Sequence, residues 1–184
     1  MTCQFILYAC PTGPLASQLD TYFHTSQAQC GPNTAHRYMP HCTLTGFFHD
    51  RAAAADGYLE QLETVYQRHR DRQEPVQVVG LEFRPGWQGL TLKAPTLKPL
   101  VLDFVRTSQS PTRQEAIRPK DWLHLSLAYG FAPNQALQLE YLARQLVNPN
   151  APAGWELRFY QRDDGSRWCC HRRWPLSSLD ASMP

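Results

Sequence analysis

No run of apolar residues near the start of this sequence is long enough to cross a bilayer. "FILYAC" (5–10) is a short apolar run, against the roughly 20 residues that a spanning helix needs. It has no basic segment ahead of it and no small-residue cleavage site behind it, so it reads as core rather than as a secretory signal. Net charge is nearly absent too. The 18 Lys and Arg against 16 Asp and Glu leave +2, too little to bind nucleic acid by counterion release alone, although a local basic patch fits that balance. Linkers and low-complexity tracts are missing. The six cysteines (Cys3, Cys10, Cys30, Cys42, Cys169, Cys170) lack metal-ligand spacing and show no disulfide framework. They read as reduced core thiols of a cytoplasmic protein that uses no metal and no cofactor. A redox role for the adjacent Cys169 and Cys170 is disfavoured, because neighbours on a strand point to opposite faces.

What is present is an ordinary globular composition, 42% hydrophobic and 18% charged over 184 residues, which predicts one domain over 1–184. Strand-like stretches fall at 4–10, 41–48, 76–83, 87–94, 122–130, 155–162 and 166–174. "RPG" and "DDG" predict hairpins joining the third strand to the fourth and the sixth to the seventh. Helical spacing marks 15–27, 52–70, 96–109 and 135–147. A weak internal repeat also shows. "CPTGPLASQLDTYFHTSQ" and "APTLKPLVLDFVRTSQ" each run from Pro-Thr through an amphipathic helix to Thr-Ser-Gln. The predicted architecture is therefore α+β and bilobal, with pseudo-repeat lobes at about 1–86 and 87–184. Each lobe is a mainly antiparallel sheet flanked by helices, and the two meet at a central cleft.

Two short stretches carry the chemistry. "HCTL" (41–44) and "HLSL" (124–127) place a histidine two residues before a hydroxyl on otherwise apolar strands. Residues two apart share a face, so His41, Thr43 and Thr45 face one way while Cys42 and Leu44 face the core. Likewise His124, Ser126 and Ala128 oppose Leu123, Leu125 and Leu127. A lone strand histidine is more often structural than functional. One such motif arises by chance about once in ten chains of this composition, and two are far rarer. Two imidazoles and two hydroxyls in one cleft suit general acid–base work on a phosphoryl group. The histidines move protons near neutral pH, and the hydroxyls donate to anionic oxygens.

The paired motifs resemble those of the 2H phosphoesterase superfamily, which includes LigT-like RNA 2′,3′-cyclic phosphodiesterases. That resemblance implies a bilobal fold and metal-independent hydrolysis of a cyclic phosphodiester by His41 and His124, with Thr43 and Ser126 holding the phosphate. The expected function is then a 2′,3′-cyclic phosphodiesterase acting on a nucleotide or an RNA terminus in RNA processing, by a monomer without a membrane partner. Rival readings are a non-catalytic module binding RNA ends or phosphorylated small molecules, and an enzyme acting on a 2′–5′ or ADP-ribose cyclic phosphate linkage. Phe47 shares the nominal face of His41 and Thr43 and is a candidate platform for a substrate ring. Tyr129 follows the second motif but falls on the opposite parity unless a bulge intervenes. Tyr38 and Trp122 stand at the strand entrances. Arg37, Arg84, Arg118, Lys120, Arg158, Arg162, Arg172 and Arg173 are candidate phosphate contacts. A zinc site from His36, His41 and His49 matches no known ligand spacing.

Overall fold

The computed structural model describes residues 2–163 and 167–177. The most apolar segment of the chain becomes its most buried strand. In β1 (Thr2–Thr12), Phe5, Leu7 and Ala9 enter the main core, while Ile6, Tyr8 and Cys10 pack on the other face of the sheet. Burial on both faces explains why this strand reads as a continuous apolar run rather than an alternation.

The remaining elements are α1 (Pro14–Cys30), β2 (Cys42–Thr43), β3 (Phe48–Arg51), α2 (Ala55–His69), β4 (Gln77–Arg84), β5 (Trp87–Lys93), α3 (Leu97–Thr107), β6 (His124–Tyr129), α4 (Ala136–Leu146), β7 (Gly154–Arg162) and β8 (Trp168–Ser177). All four helices show the spacing expected of one-sided burial. Leu15, Leu19, Tyr22 and Ser26 of α1, and Leu97, Leu100, Val101 and Phe104 of α3, are buried at intervals of three and four. Together with α2 and α4 these faces build one continuous core with Phe5, Leu7, Leu90, Leu125, Leu157 and Phe159 of the strands. Burying each large apolar side chain contributes roughly 1.5–3 kcal/mol.

The α+β expectation holds, but the two separate sheets do not. Among the described residues there is one eight-stranded sheet in the order β4-β5-β6-β2-β1-β7-β8, with β3 also paired to β1. Every pairing recorded between these strands is antiparallel. The halves are fused because the inner strands hydrogen-bond to each other, with Cys42 opposite Leu125. The two histidine strands therefore lie side by side instead of facing each other across a gap between sheets. β4 and β5 form the hairpin predicted from "RPG", turning at Gly86 with φ 76°. β7 and β8 also pair, while Asp164 and Gly165 of the "DDG" turn lie outside the described residues.

The expected strand at 41–48 is broken after Thr43. The backbone N–H groups of Leu44 and Thr45 both reach Leu7 O (3.0 and 3.4 Å), and the Thr45 hydroxyl accepts the N–H of Leu7 at 3.1 Å. A side chain thus takes the place of a ladder acceptor, the register slips, and pairing with β1 resumes only at Phe48. Across the break the chain bridges to the loop between α3 and β6, through Thr45 opposite Pro119 and Gly46 N–H to Arg118 O at 2.8 Å. That loop is pinned further by Asp50, fully buried, which accepts from Thr112 Oγ1 (2.5 Å), Tyr58 OH (2.7 Å) and Arg51 N–H (2.7 Å).

Candidate functional site

The antiparallel register fixes the site. With Cys42 opposite Leu125, one step outward in each direction sets His41 against Ser126 and Thr43 against His124. Directly opposed residues have Cβ atoms about 5 Å apart, and diagonal ones about 7–8 Å. The two imidazoles are therefore on a diagonal, a spacing that accommodates one phosphoryl group between them. His41, Thr43, His124 and Ser126 all line one cavity of about 190 Å3 on the sheet face opposite the main core. Three of them, without Ser126, also line an adjoining cavity of about 600 Å3.

Both histidines are held the same way. His41 Nδ1 lies 2.7 Å from Met39 O, and His124 Nδ1 lies 3.1 Å from Trp122 O, in each case the carbonyl two residues back. A carbonyl only accepts, so Nδ1 carries the proton and the neutral ring turns a bare Nε2 lone pair away from the backbone. Each ring also lies against an aromatic. The centroids of His41 and Tyr8 are 3.9 Å apart, and those of His124 and Trp122 are 3.8 Å apart, tilted by 33° and 26°. Burial pushes His41 down to about 4. The bond to Met39 O opposes that shift, and His124 adds to it. Burial also lowers His124, the bond to Trp122 O opposes it, and the cations Lys120 and Arg84 lower it further. Both groups are consequently neutral bases at neutral pH.

The hydroxyls differ in their support. Ser126 Oγ accepts a hydrogen bond from Trp87 Nε1 at 2.9 Å, which leaves its own hydrogen to donate. Trp87 reaches it by folding its indole over Gly89. A Cβ on Gly89 would stand 2.6 Å from Trp87 Cζ2 and 2.3 Å from Leu125 O. Glycine is required there for space rather than for a special backbone conformation. Thr43 lines both cavities. Thr45, on the same nominal face, is fully buried and is spent on the backbone of β1.

Tyr129 joins the site through the bulge that its parity required. Pairing between β5 and β6 slips from Gln88 opposite Ala128 to Gly89 opposite Ser126, leaving Leu127 as the extra residue. Leu127 and Ala128 are both fully buried, and Tyr129 then returns to the cleft side and lines both cavities. The same slip sets Ala128 opposite Gln88 and turns it away from His124 and Ser126, which corrects its placement beside them. Phe47 lines the larger cavity, with the Arg162 guanidinium 4.8 Å from its ring centroid. Arg118 and Lys120 line it too. Arg158 and Arg172 are instead committed to Glu156 and Glu63. Arg84 stacks over Trp122 at 4.5 Å. His36 and His49 do not gather with His41. The first is held by Ser26 and Asn33, and the second by Glu115 and Gln4. Among the described residues no group of three His, Cys, Asp or Glu side chains is placed to hold a metal ion. All six cysteines are free, but Cys169 is exposed and Cys30 and Cys170 are only half-buried, which corrects their reading as core residues.

Tyr8, Trp87 and the stacking role of Trp122 were not legible as site features. The one usable signal was "WQG", a tryptophan two residues ahead of a glycine on a strand, where the missing side chain makes room for a folded indole.

Fold and site together define an α+β protein whose single antiparallel sheet carries a two-histidine cleft. No family model matches the chain. It is 32% identical over 163 residues to the human "Ubiquitin-associated and SH3 domain-containing protein B", an alignment covering 87% of this chain and 25% of that protein. It is also 32% identical over 167 residues to the ecdysteroid-phosphate phosphatase of Bombyx mori, covering 87% and 24%. The ecdysteroid-phosphate phosphatase of Drosophila melanogaster is 28% identical over 200 residues, covering 87% and 26%. The chain thus spans about a quarter of the length of the curated relatives it matches. These names correct the expected function. They speak of a phosphatase for a phosphate ester and of ubiquitin-associated SH3 proteins, not of a 2′,3′-cyclic phosphodiesterase of nucleotides or RNA ends. Nothing in the four motif residues alone distinguishes a cyclic phosphodiester from another phosphate ester, and that is where the expectation went beyond them. No helix among the described residues is long and apolar enough to cross a membrane.

Proposed function

We propose that the cleft is a two-histidine phosphoesterase site that hydrolyses a phosphate ester of an alcohol. The observation that carries this reading is the matched pair of imidazoles, each with Nδ1 on a backbone carbonyl and Nε2 left for the cleft, beside two hydroxyls. The strand order supports kinship with the 2H phosphoesterases. Read outward from the β2–β6 contact it is β2-β1-β7 on one side and β6-β5-β4 on the other. In both halves a helix lies between the strand one step out and the inner strand, α1 between β1 and β2 and α3 between β5 and β6. That arrangement suits a pseudo-twofold placed between the two histidines.

His41, the more strongly depressed group, acts as the base. Its Nε2 takes a proton from water as the water oxygen attacks phosphorus. His124 acts as the acid. The negative charge of a bound phosphate offsets the effect of Lys120 and Arg84 and favours its protonated form. As the bond from phosphorus to the alcohol oxygen breaks, His124 gives its proton to that oxygen, and solvent returns both rings to their starting states. Thr43 and Ser126 donate to the non-bridging oxygens, with Trp87 keeping the Ser126 hydrogen aimed outward. The name of the insect relatives supports an ester of a bulky alcohol, and the larger cavity offers the room.

The test is turnover of a panel of phosphate monoesters, including 4-nitrophenyl phosphate and a steroid phosphate, with and without a chelator. Histidine variants are expected to lose about 100- to 10,000-fold in kcat/KM. Wild-type protein that binds phosphate but turns over none of the panel would refute the catalytic reading.

A further inference from the structure

The larger cavity extends well past the place of the phosphoryl group. Along β1, Thr43 lies opposite Tyr8 and His49 opposite Gln4. Four residues of strand make a trough about 13 Å long from the histidine pair to His49. Its wall is aromatic at Tyr8, beside the histidines, and at Phe47, farther along. About midway, roughly 7 Å along, stands Arg118. Its carbonyl holds Gly46 N–H, and its guanidinium lies over Gly46, with Nε and Nη2 both 3.8 Å from where a Cβ would be. Among the described residues Arg118 makes no ion pair. The nearby carboxylate, Glu115, is already taken, its Oε1 accepting from His49 Nδ1 (2.6 Å) and from His49 N–H (3.0 Å). Arg118 is therefore exposed to the trough, and Glu115, which lines the same trough, is held through Oε1 by His49 rather than by Arg118.

We propose that this trough is a leaving-group subsite for a phosphate ester whose alcohol part carries a ring and, beyond the ring, a second anionic group that pairs with Arg118. The subsite rests on the phosphoesterase reading for its first anchor, the phosphoryl group between His41 and His124. The ring lies against Tyr8 and Phe47. The distal anion accepts from the planar guanidinium, whose paired donors match a carboxylate.

Binding and turnover test the two readings separately. Two non-hydrolysable phosphonates are titrated by calorimetry, 4-(phosphonomethyl)phenylacetate and its neutral amide. Wild-type protein is expected to bind the acid about tenfold more tightly than the amide, the size of one charge-assisted contact. In Arg118→Gln that ratio falls to within about twofold, while the affinity for the amide changes little. Equal affinities in wild-type protein, or binding of neither compound, overturn the subsite. The phosphoesterase reading is scored independently on hydrolysis of 4-nitrophenyl phosphate, which has no distal anion. Acid-selective binding with no hydrolysis of any monoester in the panel would remove the enzyme and leave the trough as a binding site for a ring with a distal anion.

Discussion

The depressed His41 makes the folded protein lose stability in acid through a single ring. Burial holds the folded group at about 4 against an ordinary value of 6.5. Between those values the unfolded chain binds the proton and the folded chain resists it, so stability falls as pH drops through 6.5 and levels off below about 4. The gap corresponds to about 3 kcal/mol when fully expressed, of which about 2 kcal/mol is lost between pH 7 and pH 5. His36, His124 and His171 are also held low by burial and add to the acid loss. A comparison with His41→Gln cancels their part. Urea unfolding at pH 7 and pH 5 is expected to show a fall about 2 kcal/mol steeper in wild-type protein than in the variant, or about 4–8 °C in Tm. Parallel losses in the two proteins would show that His41 takes up its proton freely when folded, and the assignment of His41 as a poised neutral base would fail.

Four further outcomes follow from the same geometry. In kcat/KM the pH profile is expected to be a bell with its acid limb near 4 and its alkaline limb below the ordinary histidine value, because His41 must be neutral and His124, lowered by burial, protonated; an optimum above 7 would contradict it. Trp87→Phe keeps the ring but removes the donor to Ser126, and is expected to weaken inorganic phosphate binding several-fold while shifting stability by no more than about 1 kcal/mol. Gly89→Ala forces a Cβ against Leu125 O and the Trp87 ring, with an expected cost of about 1–3 kcal/mol and a disturbed Trp87 fluorescence spectrum. Asp50→Asn leaves Tyr58 and Thr112 competing for a weaker acceptor, and an expected loss of about 2 kcal/mol is readable by thermal unfolding.

The helices and strands were legible because their periodicities report burial directly. α1 and α3 bury residues at intervals of three and four, as helical spacing requires. The alternation of His41, Cys42, Thr43 and Leu44 likewise announced which side chains meet the core. Pairing between strands was less visible. Nothing local in "HCTL" or "HLSL" tells that Cys42 and Leu125 share a ladder, so two sheets were expected where one exists. The slip at Leu127 and the break after Thr43 depend on partners far along the chain, Gln88 in one case and Leu7 in the other. For the same reason the supporting shell of Tyr8, Trp87 and Trp122 stayed hidden. These residues reach the histidines or Ser126 only after the sheet has formed. Substrate identity was the least legible of all, since the trough is lined by a loop between α3 and β6 whose course is set by Thr45, Gly46 and Asp50.

One measurement bears most directly on the claim that two rings grip one phosphorus. Inorganic phosphate is titrated into protein with 15N-labelled histidine, and the Nε2 resonances of His41 and His124, assigned through their alanine variants, are followed together. Both signals are expected to move with one shared midpoint, and loss of either ring to abolish the response of the other. Movement of only one resonance, or two different midpoints, would mean that the histidines do not serve a common phosphoryl site.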